Sequence, residues 1–195
     1  MAGGGNADTG RDGADRLRLF IGVPVGEPAR GALARLAAGL RAAGWRPATE
    51  AALHVTVRFL GDTPATLVPA LGRAVTEAAR ACPGPFPVSL GAVVGLPRAE
   101  RARVAAVRAD VGAEDLGRLA GALDRALAPL GIARDGRPFL AHVTVARSGP
   151  RPRRVPEGRA DAAFRAERLV LWESRLGRPH ARYVERSACP LGPPA

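Results

Sequence analysis

Residues Leu53 to Asp62 read L-H-V-T-V-R-F-L-G-D, and the tetrapeptide within them, His54-Val55-Thr56-Val57, returns as His142-Val143-Thr144-Val145. The chain holds only three histidines, so two of them opening the same tetrapeptide marks an internal repeat. Each copy also carries a glycine seven positions after its histidine, at Gly61 and Gly149. Strict alternation of apolar and polar residues predicts a half-buried strand, whose side chains point alternately to opposite faces. On that parity His54, Thr56 and Arg58 share one face, while Leu53, Val55, Val57 and Phe59 share the other. His142 and Thr144 likewise oppose Val143 and Val145. Each copy thus buries its valines and presents an imidazole beside a hydroxyl.

Outward from the repeat, the pattern predicts strands at 17–23, 53–60, 86–94, 103–109, 139–147, 168–175 and 181–188, and helices at 27–43, 66–81 and 114–130. Pro69 falls in the first turn of the second helix, where its missing N–H costs nothing. Leu116, Leu119, Leu123, Leu127 and Leu130 form one stripe on the third. Residues 148–159 read as a Pro/Arg loop. Strands lie close enough for hairpins and alternate irregularly with helices, which points to an α+β fold with antiparallel pairing. The expected organisation is a loose tail over 1–16, one domain over 17–191, and a loose end at 192–195.

Composition narrows the function classes. The chain has 195 residues and a net charge of +11, with 29 basic residues that are all arginine. A polyanionic partner follows from that charge, although an Ala/Gly/Pro/Arg-rich composition also inflates it. Arginines outnumber acids 11 to 5 between Arg147 and Arg186, a stretch that reads either as an RNA-facing rim or as solvated loop charge. No apolar run is long enough to span a bilayer, and the first sixteen residues lack the apolar core of a secretion signal. A cytoplasmic monomer is expected. Cys82 and Cys189 have neither disulfide-framework nor zinc spacing, and no metal or cofactor is implied.

Two imidazoles and two hydroxyls meeting at one cleft suit acid–base chemistry on a phosphate. A neutral ring accepts a proton while a charged one donates, the Thr56 and Thr144 hydroxyls bond phosphate oxygens, and Arg58 and Arg147 add charge-assisted bonds. Phe139, three residues before His142, is a candidate for stacking on a base. His180, which has no threonine at the matching place, reads as a turn residue. Ser174 and Tyr183 read as structural.

At these residues the sequence resembles the 2H phosphoesterase superfamily and, within it, the RNA 2′,3′-cyclic phosphodiesterase branch, also called the 2′-5′ RNA ligase family. LRLFIGVPV, LHVTVRFLGD, RPFLAHVTVAR and LVLWESRLGRPHARYVE match its segments in order. The resemblance implies a bilobal fold in which two pseudo-symmetric lobes with antiparallel sheets line a groove, helices outside. It implies hydrolysis of RNA 2′,3′-cyclic phosphate ends to 2′-phosphates without a metal. His54 would be the proton donor and His142 the base, with Thr56, Thr144 and Arg147 on the phosphate. Ligation of tRNA halves through a 2′-5′ bond, action on a small cyclic nucleotide or an ADP-ribose cyclic phosphate, and a non-catalytic nucleotide-binding module are the competing expectations.

Overall fold

The two histidine-bearing strands lie side by side at the centre of one curved antiparallel sheet. In the computed structural model, which describes residues 15–175, 177 and 181–194, the elements run β1 (Arg16–Pro24), α1 (Ala29–Gly39), β2 (Arg46–Pro47), β3 (His54–Pro64), α2 (Val68–Arg80), β4 (Phe86–Leu96), β5 (Val104–Val111), α3 (Ala113–Leu127), β6 (His142–Arg147), β7 (Arg159–Ala166), β8 (Arg168–Arg175) and β9 (Arg182–Pro190). The strand order is β7-β4-β5-β6-β3-β1-β8-β9, with the short β2 added to β6. From β3 the sheet continues through β1, β8 and β9, and from β6 through β5, β4 and β7. These halves are the two lobes, and Val55 paired with Val143 joins them.

The helices cover the valine face. Helix α1 packs on β6 and β7, α2 on β8 and β9, and α3 lies against α2, β3 and β5. Their inward stripes follow helical spacing: Ala29, Leu33 and Ala37 on α1; Leu71, Ala74, Val75 and Ala78 on α2; Leu116, Leu119, Leu123 and Leu127 on α3. They meet Leu19, Ile21, Val55, Val143 and Leu171 in one apolar core. Each such leucine contributes about 2 kcal/mol by leaving water. No described helix is long and apolar enough to cross a membrane.

Three features depart from the sequence expectation. Strand β7 lies where the pattern shows no strand. Its inward positions are Ala160, Ala162, Phe164 and Ala166, and mostly alanine gives a weak strand signal despite perfect alternation. The C-terminal end is held further than expected, because the Gly192 N–H donates to the Ala79 carbonyl. At the other end, Arg16 already belongs to β1.

Neither strand HVTV is regular. Ile21 pairs with Arg58 but Gly22 with Thr56, so Val57 is an extra residue on β3. Ala105 pairs with Ala146 but Ala106 with Thr144, so Val145 is the extra residue on β6. Both copies therefore carry a β-bulge at their second valine. On the β3 side the bulge brings the strands so close that a Cβ on Gly22 would stand 2.3 Å from the Val55 carbonyl oxygen, and only glycine fits.

Candidate active site

The paired bulges decide which side chains reach the site. The burial pattern is the same in the two copies: histidine and threonine partly open, both valines buried, the fourth residue after the histidine buried, the fifth exposed. An inserted residue reverses the alternation beyond it. Arg147 is thereby turned outward to join Thr144, where unbroken parity would bury it. In the first copy the same reversal sends Arg58 inward and Phe59 outward.

The expectation that Arg58 binds phosphate and Phe59 fills the core is therefore corrected on both residues. Arg58 is only 9% exposed and ion-pairs with Asp124 of α3 at 3.0 Å. Its guanidinium also donates to the Ala133 carbonyl, tying β3 to the segment that leads to His142. Phe59 is 52% exposed, with the Arg18 guanidinium 4.8 Å above its ring. Phe139 stands 37% exposed just before β6, outside the cavity described below. His180 lies outside the described residues.

The β3–β6 register, continued one residue either way from Val55–Val143, sets His54 beside Thr144 and Thr56 beside His142. Each ring is oriented by the carbonyl two residues earlier. His54 Nδ1–H donates to the Ala52 oxygen at 2.9 Å, and His142 Nδ1–H to the Leu140 oxygen at 2.7 Å. A carbonyl only accepts, so the proton of each neutral ring sits on Nδ1 and Nε2 is free to accept. His54 Nε2 lies 3.0 Å from the Thr56 hydroxyl.

A cavity of about 290 Å³ opens on the His54 side, lined by His54, Thr56, Thr144, Arg147, Arg46 and Tyr183 among others. His142 is not among its lining residues, and none of the described residues that line it is a carboxylate. The sequence signal missed Arg46 and Tyr183. Arg46 sits on a two-residue strand too short to show a pattern, and Tyr183 reaches the site only because β9 closes the sheet beside β8.

The two histidines differ in surroundings. Phe20 stacks on the His54 ring at 4.7 Å, Tyr183 meets it edge-on at 5.4 Å, and Trp172 tilts against it at 5.5 Å. Burial, followed by the positive charges of Arg147 and His142, outweighs the Ala52 hydrogen bond and holds the His54 pKa down at about 4. Folding thus favours the neutral ring. That stability is fully present above about pH 6.5, where the unfolded ring is also neutral, and is lost as pH falls toward 4. A displacement of that size corresponds to about 3 kcal/mol. Urea titrations should show wild type losing about 3 kcal/mol more than His54→Gln between pH 7 and pH 4, and equal losses would contradict the depressed value.

Four of the eleven arginines between Arg147 and Arg186 are ion-paired. Arg159 pairs with Asp110 at 3.0 Å, Arg168 with Glu185 at 2.8 Å, and Arg175 and Arg186 both with the buried Glu173. Arg147, Arg151, Arg153, Arg154, Arg165 and Arg182 take part in no ion pair among the described residues.

Comparison with known proteins agrees with the fold. A family model described as the 2′-5′ RNA ligase superfamily matches residues 27–178. The chain belongs to this superfamily. The structure is similar to TT0787 of Thermus thermophilus, with 30% identity, 90% of this chain and 98% of that one covered, and a TM-score of 0.80. It also resembles E. coli LigT complexed with NADP+, at 24% identity, 91% and 99% coverage and a TM-score of 0.73. The MHV ns2 PDE domain shares the fold at 17% identity, with 80% and 99% coverage and a TM-score of 0.58. No curated protein is matched at a significant level by sequence. Membership in the 2′-5′ RNA ligase superfamily carries the 2H phosphoesterase fold and phosphodiester chemistry as a class.

Proposed function

We propose that this member of the 2′-5′ RNA ligase superfamily hydrolyses RNA 2′,3′-cyclic phosphate ends to 2′-phosphomonoesters. The observation that carries the reading is the pair of imidazoles on adjacent strands, each with Nδ1–H held by the backbone carbonyl two residues earlier so that Nε2 is left to accept a proton. His142 Nε2 removes a proton from water as its oxygen attacks phosphorus. The P–O3′ bond breaks, and His54 Nε2 delivers its proton to the departing 3′-oxygen. Thr56, Thr144 and Arg147 hold the non-bridging oxygens. His54 acquires the proton it donates as the anionic phosphate arrives beside it, offsetting the burial that keeps the free ring neutral.

Among the described residues no three His, Cys, Asp or Glu side chains gather as the three protein ligands of a catalytic zinc site would, so the reading needs no metal. Exposed Phe59, on the site face beyond Thr56, offers a ring for a nucleobase. The crystallised complexes of LigT include 3′-AMP, ATP and NADP+, which supports a nucleotide-shaped ligand here. A short RNA ending in a 2′,3′-cyclic phosphate, incubated with the protein in excess EDTA, should yield a 2′-phosphate end. A 3′-phosphate product or an intact cyclic end would overturn the proposal.

A further inference from the structure

The cavity contains one more cation than a cyclic phosphate needs. Arg46 of β2 is the direct cross-strand partner of Arg147 of β6, and opposed residues of an antiparallel pair project to the same face. Both arginines line the cavity with His54 and Thr144. Arg46 is held in place rather than free to swing. Its Nη2 donates to the Ser148 carbonyl at 3.0 Å, the preceding Trp45 is buried, and the Ala48 N–H donates to the Val145 carbonyl at 2.8 Å. Neither Arg46 nor Arg147 takes part in an ion pair among the described residues.

A cyclic phosphodiester carries one negative charge. Arg147 and the protonated histidine already face it with two positive ones. A further guanidinium, fixed beside them with four unused N–H donors and no carboxylate among the described residues that line the cavity, calls for another anion. An RNA end supplies one, the phosphodiester on the 5′ side of the terminal nucleoside. A nucleoside 2′,3′-cyclic phosphate has no such group.

We infer that Arg46 binds this next phosphodiester, so that the site selects a cyclic phosphate at the end of a nucleotide chain over an isolated nucleoside cyclic phosphate. The inference rests on the reading of the site as a cyclic phosphodiesterase and adds its substrate class. The test compares kcat/KM on adenosine 2′,3′-cyclic phosphate and on the dinucleotide ApA with the same cyclic end, for wild type, Arg46→Lys and Arg46→Ala. The expected loss for Arg46→Ala is about tenfold or more on the dinucleotide, as for a lost hydrogen bond to a charged group, with a much smaller loss on the mononucleotide. Arg46→Lys should retain part of the preference, and raised salt should lower the dinucleotide rate more steeply in wild type than in Arg46→Ala. Equal losses on both substrates would place Arg46 on the reacting phosphate or in the fold, and no loss on either would leave it idle; both outcomes overturn the inference while the phosphodiesterase reading stands. Wild type that cleaves neither substrate removes both.

Discussion

His142→Ala and His54→Ala should each lower kcat/KM on an RNA 2′,3′-cyclic phosphate end by about 10²-fold or more, the usual effect of deleting a general acid or base. The two deficits should differ with the leaving group. A 3′-alkoxide departs with help from a donated proton, whereas p-nitrophenolate leaves without one. On a phosphodiester with a p-nitrophenolate leaving group the His54→Ala deficit should therefore shrink, and that of His142→Ala should persist. The opposite pattern would exchange the roles of acid and base while preserving the pair. Full activity in either variant would end the acid–base proposal. Thr56→Val and Thr144→Val should also lower the rate, since each removes a hydroxyl facing the phosphate without changing side-chain size greatly.

The largest expected stability effect lies behind the site. Asp124→Ala leaves Arg58 buried against α3 without its carboxylate, and breaking a buried pair from one side costs about 3–5 kcal/mol. Arg134, the other partner of Asp124 at 3.4 Å, is well exposed and contributes little. Adding Arg58→Met to Asp124→Ala should restore much of the loss, because an apolar side chain of similar length needs no counter-charge. Urea midpoints of the two single variants and the double variant measure this directly, and a strictly additive double variant would refute the coupling. With Arg58 turned away from the cavity, Arg58→Met should leave KM close to wild type. A phosphate ligand at that position would instead raise it.

That contrast shows where reading along the chain stops. Strand parity places His54 with Thr56 and His142 with Thr144, and the structure has them so, because no insertion interrupts those three residues in either copy. One residue past the second valine the parity rule fails. A bulge arises when two strands must bend together, and nothing local in V-R-F or V-A-R announces it. The helices are readable because leucine spacing repeats over three or four turns. Strand β7 is not, since alanine at its inward positions carries almost no strand preference of its own.

Local pattern was enough for the α+β class, the repeat, and the identity of two histidines and two threonines as partners, because each rests on spacing within a strand or helix. The choice between Arg58 and Phe59 as the outward residue, the pairing of Arg46 with Arg147, and the aromatic enclosure of His54 by Phe20, Trp172 and Tyr183 required the folded chain. Those features depend on contacts between residues tens to more than a hundred positions apart. Closing such contacts is the work of the whole core, and no single stretch of sequence encodes its outcome.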